Sequence, residues 1–146
     1  YNLTGTIKAP KTAGEAKFSL AYGSAVALRD QSFGVGHLTE PSYTDPEMLA
    51  LAERVTCEID PQVQAVYPKQ RGARVRITLK DGTQYEKELY DLRGSPNNPV
   101  GWPELAAKFT ANAQAVLSAQ TVDMLLERLT ALETLKNIDP IMDLVV

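Results

Sequence analysis

The sequence predicts an α+β fold, a small antiparallel sheet with an Asp-Gly hairpin packed on helices and followed by C-terminal helices. Three observations carry this. Residues 73–79 and 83–89 alternate apolar with polar side chains around Lys80-Asp81-Gly82, the pattern of two half-buried strands joined by a tight turn. Asp45-Pro46 and Pro103 each open a segment with apolar residues at helical spacing, and 121–136 repeats that spacing with leucines. With 44% hydrophobic residues in 146, the chain is long enough to bury a core of its own.

Residues 1–8, with the run Leu3-Thr4-Gly5-Thr6-Ile7, read as an edge strand. Thr12 and Glu15 then stand at capping-box spacing and start a helix over about 12–29, with Gly14 and Gly23 as its weak points. A break near Ser19 would let Lys17, Ser19 and Tyr22 face one polar cavity, leaving Phe18, Leu20, Ala25, Val26 and Leu28 on the apolar side. Gly34, Gly36 and Pro41 mark a loop. Asp45 caps the next helix and Pro46 takes its first position, so Met48, Leu51, Ala52 and Val55 line one buried face.

Val55, Cys57 and Ile59 alternate with Thr56, Glu58 and Asp60, the period of a strand that Pro61 ends, with Cys57 as a buried thiol. In the hairpin two turns compete. A two-residue Asp-Gly turn sets Leu79 opposite Gln84 and Ile77 opposite Glu86, apolar against polar. A three-residue loop with Gly82 left-handed pairs Ile77 with Tyr85, Arg76 with Glu86 and Arg74 with Glu88, which makes one face apolar and matches charge on the other. The second register is the expected one.

Residues 94–101 form a turn-rich loop. The helix from Pro103 places Leu105, Phe109, Ala113, Val116 and Leu117 on one stripe, and the helix over 121–136 does the same with Val122, Leu125, Leu126, Leu129 and Leu132. The tail over 138–146 is apolar and should lie against something.

Composition excludes several functions. Fifteen Lys and Arg against eighteen Asp and Glu give no basic field to gather nucleic acid. One Cys and one His supply neither an internal disulfide nor a ligand set for zinc or a redox metal, so no metal is expected, and a reducing, cytoplasmic location fits. No apolar run reaches the roughly 20 residues that span a bilayer. His37 is the one side chain with an ordinary pKa near neutrality. It follows Gly34-Val35-Gly36, a stretch without the spacing of a phosphate loop, and no neighbour in sequence offers an orienting carboxylate, so a solvated or structurally bonded loop histidine is the reading.

Four ordered stretches carry a family resemblance. They are Glu15-Ala16-Lys17-Phe18-Ser19-Leu20 with Tyr22, Asp45-Pro46-Glu47-Met48-Leu49-Ala50-Leu51-Ala52-Glu53-Arg54-Val55, Val75-Arg76-Ile77-Thr78-Leu79-Lys80-Asp81-Gly82-Thr83, and Glu104-Leu105-Ala106-Ala107-Lys108-Phe109 with Asn112-Ala113. Together they resemble the MmgE/PrpD family, which includes 2-methylcitrate dehydratases and cis-aconitate decarboxylases. The resemblance implies a lid domain over 1–119 and a helical segment over 120–146 that packs on a helical domain not present here. With Tyr1 in place of an initiator Met, the chain reads as a piece of a longer polypeptide.

What the resemblance implies for function is the cover and one pocket wall of a 2-methylcitrate dehydratase-like lyase acting on a small polycarboxylate, in a homodimer, without metal or organic cofactor. Its main acid-base residues fall outside this chain. In cis-aconitate decarboxylase-like members the tyrosine matching Tyr22 lines the substrate pocket. Ser19 then shapes the site or caps the following helix, and Lys17 is a carboxylate partner or a solvated cation. The residues themselves leave Tyr22 open to a structural role in the core. The competing function is a non-catalytic module whose apolar C-terminal helices form a self-association or partner surface.

Overall fold

The computed structural model describes residues 7–145. The expected edge strand over 1–8 lies largely outside them, and Ile7 and Lys8 belong to no strand. Contacts divide the chain into two units, Tyr1–Leu92 and Arg93–Val146.

In the first unit, α1 spans Ala13–Phe18 and α2 spans Leu20–Asp30. Thr12 Oγ1 accepts from the Glu15 amide at 3.1 Å, while the Glu15 carboxylate reaches back to the Lys11 amide at 2.7 Å. The single helix expected over 12–29 is interrupted at Ser19, not at Gly14 or Gly23. Ser19 is extended (φ −82°, ψ 114°) and its hydroxyl accepts from the Tyr22 amide at 2.9 Å, so a serine side chain ends one helix by capping the next. Gly23 sits inside α2.

The loop after α2 contains a 3-10 turn, Val35–Leu38, and a short helix α3, Glu40–Tyr43. Helix α4, Pro46–Glu53, has the expected Asp45 cap, which accepts from the Glu47 amide at 3.0 Å. Met48 and Ala52 are buried, and Leu51 and Val55 pack at the margin. They meet Ala16, Ala21, Tyr22, Ala25, Val26 and Tyr43 in one core. Tyr22, Met48 and Val26 are fully buried, each worth about 1.5–3 kcal/mol by removal of apolar area from water.

Residues 55–59 form no strand. Alternation makes a strand only when a partner supplies the ladder, and the sheet among the described residues has two strands, both in the hairpin. Ile59 is 61% exposed, and Cys57 is half-buried, not sealed in a core. Asp60-Pro61 repeats the logic of Asp45-Pro46 and opens helix α5, Pro61–Ala65, with the Asp60 carboxylate accepting from the amides of Gln62 at 2.8 Å and Val63 at 3.2 Å.

Strands β1, Ala73–Thr78, and β2, Gln84–Leu89, pair in the expected register, with Arg74 opposite Glu88, Arg76 opposite Glu86 and Ile77 opposite Tyr85. Gly82 adopts φ +86°, and the Leu79 amide donates to the Thr83 carbonyl at 2.8 Å. This is the three-residue loop. Arg76 meets Glu86 at 2.7 Å, and Arg74 joins the Glu88 carboxylate to Asp60 at 2.8 Å and to Gln62 of α5. Val75, Leu79, Tyr85 and Leu89 stay exposed on the opposite face.

In the second unit, α6 spans Trp102–Ala113 and α7 spans Ala119–Thr130. Both are shorter than the apolar stripes suggested. Val116, expected on the first stripe, lies past the helix end and is 82% exposed, while Leu132 belongs to a separate 3-10 turn, Leu132–Thr134. Val122 and Leu125 of α7 and Ile141 of a final short helix α8, Asp139–Met142, are the buried residues among those described in this unit. Arg128 donates to the Pro140 carbonyl and ties α8 to α7.

Candidate functional site

Lys17, Ser19 and Tyr22 straddle the junction of α1 and α2, and the junction decides where each side chain goes. Lys17, on the last turn of α1, is exposed, with its ammonium 5.8 Å from the Phe18 ring. Ser19 is buried and fully engaged: its hydroxyl donates to the Ile7 carbonyl and accepts from the Tyr22 amide. Tyr22 points the other way, into the core, and its hydroxyl donates to the His37 carbonyl at 2.7 Å. Lys17 therefore shares no polar cavity with Tyr22.

Around the Tyr22 hydroxyl lies a set of groups that sequence reading did not assemble. The Gly34 amide donates to His37 Nδ1 at 3.1 Å, and His37 Nε2 lies 3.3 Å from Asp30 Oδ2. The orienting carboxylate that His37 lacks among its sequence neighbours is supplied from the end of α2. Arg29 binds Asp30 through Nε at 2.8 Å and reaches Asp45 through Nη1 at 2.6 Å. Phe33 fills the space between the two rings, stacked on His37 (centroids 6.0 Å, planes at 12°) and edge-on to Tyr22 (6.3 Å, 77°).

The electrostatics follow from these contacts. Burial pushes the Tyr22 phenol above its ordinary value, with Asp30 and Asp45 adding to the rise and Arg29 opposing it. Hydrogen bonds from the Arg29 guanidinium hold the carboxyls of Asp30 and Asp45 below the usual carboxylate range, and the Glu47 amide lowers Asp45 further. At neutral pH Tyr22 is a neutral phenol beside an ionised Asp-Arg-Asp chain. Asp30 and His37 are seven residues apart across an irregular loop, so no periodicity announces them. The available signal was His37 standing three residues after Gly34, the position from which a side chain reaches back to a cap amide.

Among the described residues no group of three or more His, Cys, Asp or Glu side chains could hold a metal ion, and no helix is long and apolar enough to cross a membrane. Two surface hollows lie away from Tyr22. One, of about 420 Å³, is lined by residues that include Asp60, Tyr67 and Arg71. The other, of about 280 Å³, is apolar and lies between α6 and α7, lined by Trp102, Leu105, Ala106, Phe109, Leu126 and Leu129.

Comparison with known proteins bears on what this arrangement serves. The chain is 28% identical over 128 residues to the cis-aconitate decarboxylase of Mus musculus and 27% identical over 132 residues to that of Homo sapiens, in each case over 88% of this chain. It spans about a quarter of those relatives, 26% of their length. The family described as the MmgE/PrpD C-terminal domain matches residues 1–134. With the match taking in α1, α2, the hairpin and both long helices, the chain belongs to the MmgE/PrpD C-terminal domain family.

Proposed function

We propose that the polypeptide carrying these residues is a lyase acting on a small polycarboxylate, to which this chain contributes a cover and one pocket wall. The observation that carries the reading is the family match over residues 1–134. Eliminating water or carbon dioxide next to a carboxylate-bearing carbon demands a positioned base, cations to hold the acid groups and exclusion of water. The first two come chiefly from elsewhere in such a polypeptide. That the two relatives are cis-aconitate decarboxylases favours cis-aconitate as substrate; dehydration of 2-methylcitrate is the alternative within the same class.

Within this reading Lys17 is an exposed cation that a substrate carboxylate can meet, and Ser19 acts by fixing the start of α2. The loop over 33–38 forms the wall, and Tyr22, fully buried beneath it, holds it by donating to the His37 carbonyl. The enzyme is a cytoplasmic homodimer in this reading. Incubating the full polypeptide with cis-aconitate or with 2-methylcitrate and following product by proton NMR tests it: turnover of either supports the lyase, and turnover of neither sinks it.

The apolar hollow between α6 and α7 favours a second reading, a non-catalytic module that associates through this face. Trp102 and Leu105 beside it are 48% and 47% exposed, unusual for large apolar side chains grouped on one surface. Light scattering on the chain discriminates, since a clean monomer at high concentration counts against this second reading.

A further inference from the structure

We infer that His37 is a positioning residue for Tyr22, its imidazole pinning the loop whose carbonyl holds the phenol. Because the Gly34 amide donates to Nδ1, the ring proton of the neutral imidazole sits on Nε2, where it faces the Asp30 carboxylate. Both nitrogens are used. Asp30 is fixed in turn by Arg29, and Arg29 by Asp45 at the cap of α4. A line of contacts thus runs from the start of α4 through Arg29, Asp30 and His37 to the Tyr22 hydroxyl.

On its C-terminal side the loop is tied by Thr39 Oγ1 and Ser42 Oγ, which donate to the Gly36 carbonyl at 3.1 and 2.9 Å, and by Leu38 against the core; residues 31–35 have no such ties. Residues 31–36 are exposed, Gly34 and Gly36 have open space around them, and the 3-10 turn has a hydrogen bond from the His37 amide to the Gly34 carbonyl at 3.0 Å. A glycine-bearing loop of this kind samples many conformers unless a side chain closes it. His37 closes it twice, through Gly34 and through Asp30, and Phe33 packs against both rings. The same residue then offers its carbonyl to Tyr22. Imidazole and phenol are therefore coupled through one peptide unit.

For catalysis the inference rests on the lyase reading above; for structure it does not, and the test separates the two. The full polypeptide is labelled with carbon-13 at the tyrosine Cζ, and exchange of the Tyr22 hydroxyl proton with water is read from the isotope shift, with Tyr22→Phe assigning the resonance. His37→Leu, which removes acceptor and donor together, is expected to speed exchange by about tenfold or more, the loss of one well-made hydrogen bond. His37→Gln supplies an acceptor for the Gly34 amide and a donor for Asp30, and is expected to stay within about twofold of the native rate, a few tenths of a kcal/mol in the same terms.

Should His37→Leu not fold, Asp30→Ala removes the Nε2 partner at an exposed helix end and is expected to speed exchange likewise. An unchanged rate in the folded variants, or a Gln variant as fast as the Leu variant, overturns the inference. The turnover assay is the separate arm: loss of kcat in His37→Leu and its return in His37→Gln ties the positioning to the reaction. A polypeptide with the expected exchange pattern and no turnover of either acid defeats the lyase reading and leaves the positioning role standing.

Discussion

The Tyr22 hydroxyl and the His37 carbonyl, fifteen residues apart in the chain, meet at 2.7 Å. Tyr22→Phe keeps the ring in the core and deletes the donor. The His37 carbonyl then loses its partner in a half-buried setting, and the expected loss is about 1–2 kcal/mol of unfolding free energy. Urea denaturation reads this directly, and an unaltered midpoint would mean that water replaces the phenol at no cost. In the full polypeptide the same variant is expected to lower turnover as well, whereas native kinetics would return Tyr22 to a purely structural role.

Ser19 holds two elements through one oxygen, donating to Ile7 and accepting from the first turn of α2. Ser19→Ala is expected to cost about 1–2 kcal/mol, the range of a lost N-cap. Ser19→Thr keeps both donor and acceptor, and should recover most of that loss. Equal destabilisation by both variants would assign the effect to packing around the hydroxyl and not to its hydrogen bonds.

Arg29 links two carboxylates whose pKa values it depresses. A carboxyl with a lowered folded-state pKa stabilises the fold above its unfolded value, ordinarily 3.8, and that contribution disappears as pH falls through the folded value. The native chain should therefore lose this contribution below about pH 4. Arg29→Met removes the largest cause of both depressions, leaving the amide bonds to Asp45 and the His37 contact of Asp30, and is expected to flatten part of that profile while lowering stability at pH 7. Denaturation midpoints at the two pH values, compared between native and variant chains, provide the check.

The elements legible in the sequence are those decided within a few residues. Asp45-Pro46 fixed the start of α4, and Gly82 with the Arg-Glu pairs fixed the hairpin register, because cap, turn and cross-strand charge are all local. The strand expected at 55–59 failed for the opposite reason: alternation describes a face, while a strand needs a neighbour. Helix interruption at Ser19 was legible only as a condition, since the same hydroxyl can point to solvent or cap the next helix. In the site, Lys17, Ser19 and Tyr22 are grouped by their spacing around a helix break and Tyr22 further by resemblance, but Asp30, Phe33 and His37 come together through an irregular loop that no periodicity describes.

Two glycines are predicted to differ in why they resist substitution. Gly82→Ala places a Cβ at φ +86° with nothing within 4 Å, so its cost is backbone strain of about 1–2 kcal/mol, and Gly82→Asn should cost less. Gly72→Ala would put a Cβ 2.7 Å from Tyr90 Cδ1 and 3.1 Å from the Leu89 carbonyl. The nearer contact is a clash with a side chain, so Tyr90→Ala in the same chain should relieve it in part, the Leu89 carbonyl remaining, with no such rescue at Gly82. Thermal unfolding of these variants, with Tyr90→Ala alone as the reference, tests the distinction.

The C-terminal unit offers a contrast between a residue that holds the unit together and one that faces outward. Leu125 is buried within it and Leu105 lies at the rim of the apolar hollow. Leu125→Ala should cost about 2–4 kcal/mol in the chain by itself, through lost transfer energy and the cavity left behind. Leu105→Gln should cost less than about 0.5 kcal/mol there, the ordinary effect of a surface change. If the hollow is covered in the full polypeptide, Leu105→Gln becomes destabilising in that setting, because a polar amide is then buried without a partner. The informative quantity is the difference between the two settings: a Leu105→Gln penalty that is small in both would leave this face bare, and one that is large in the full polypeptide alone identifies it as a docking surface.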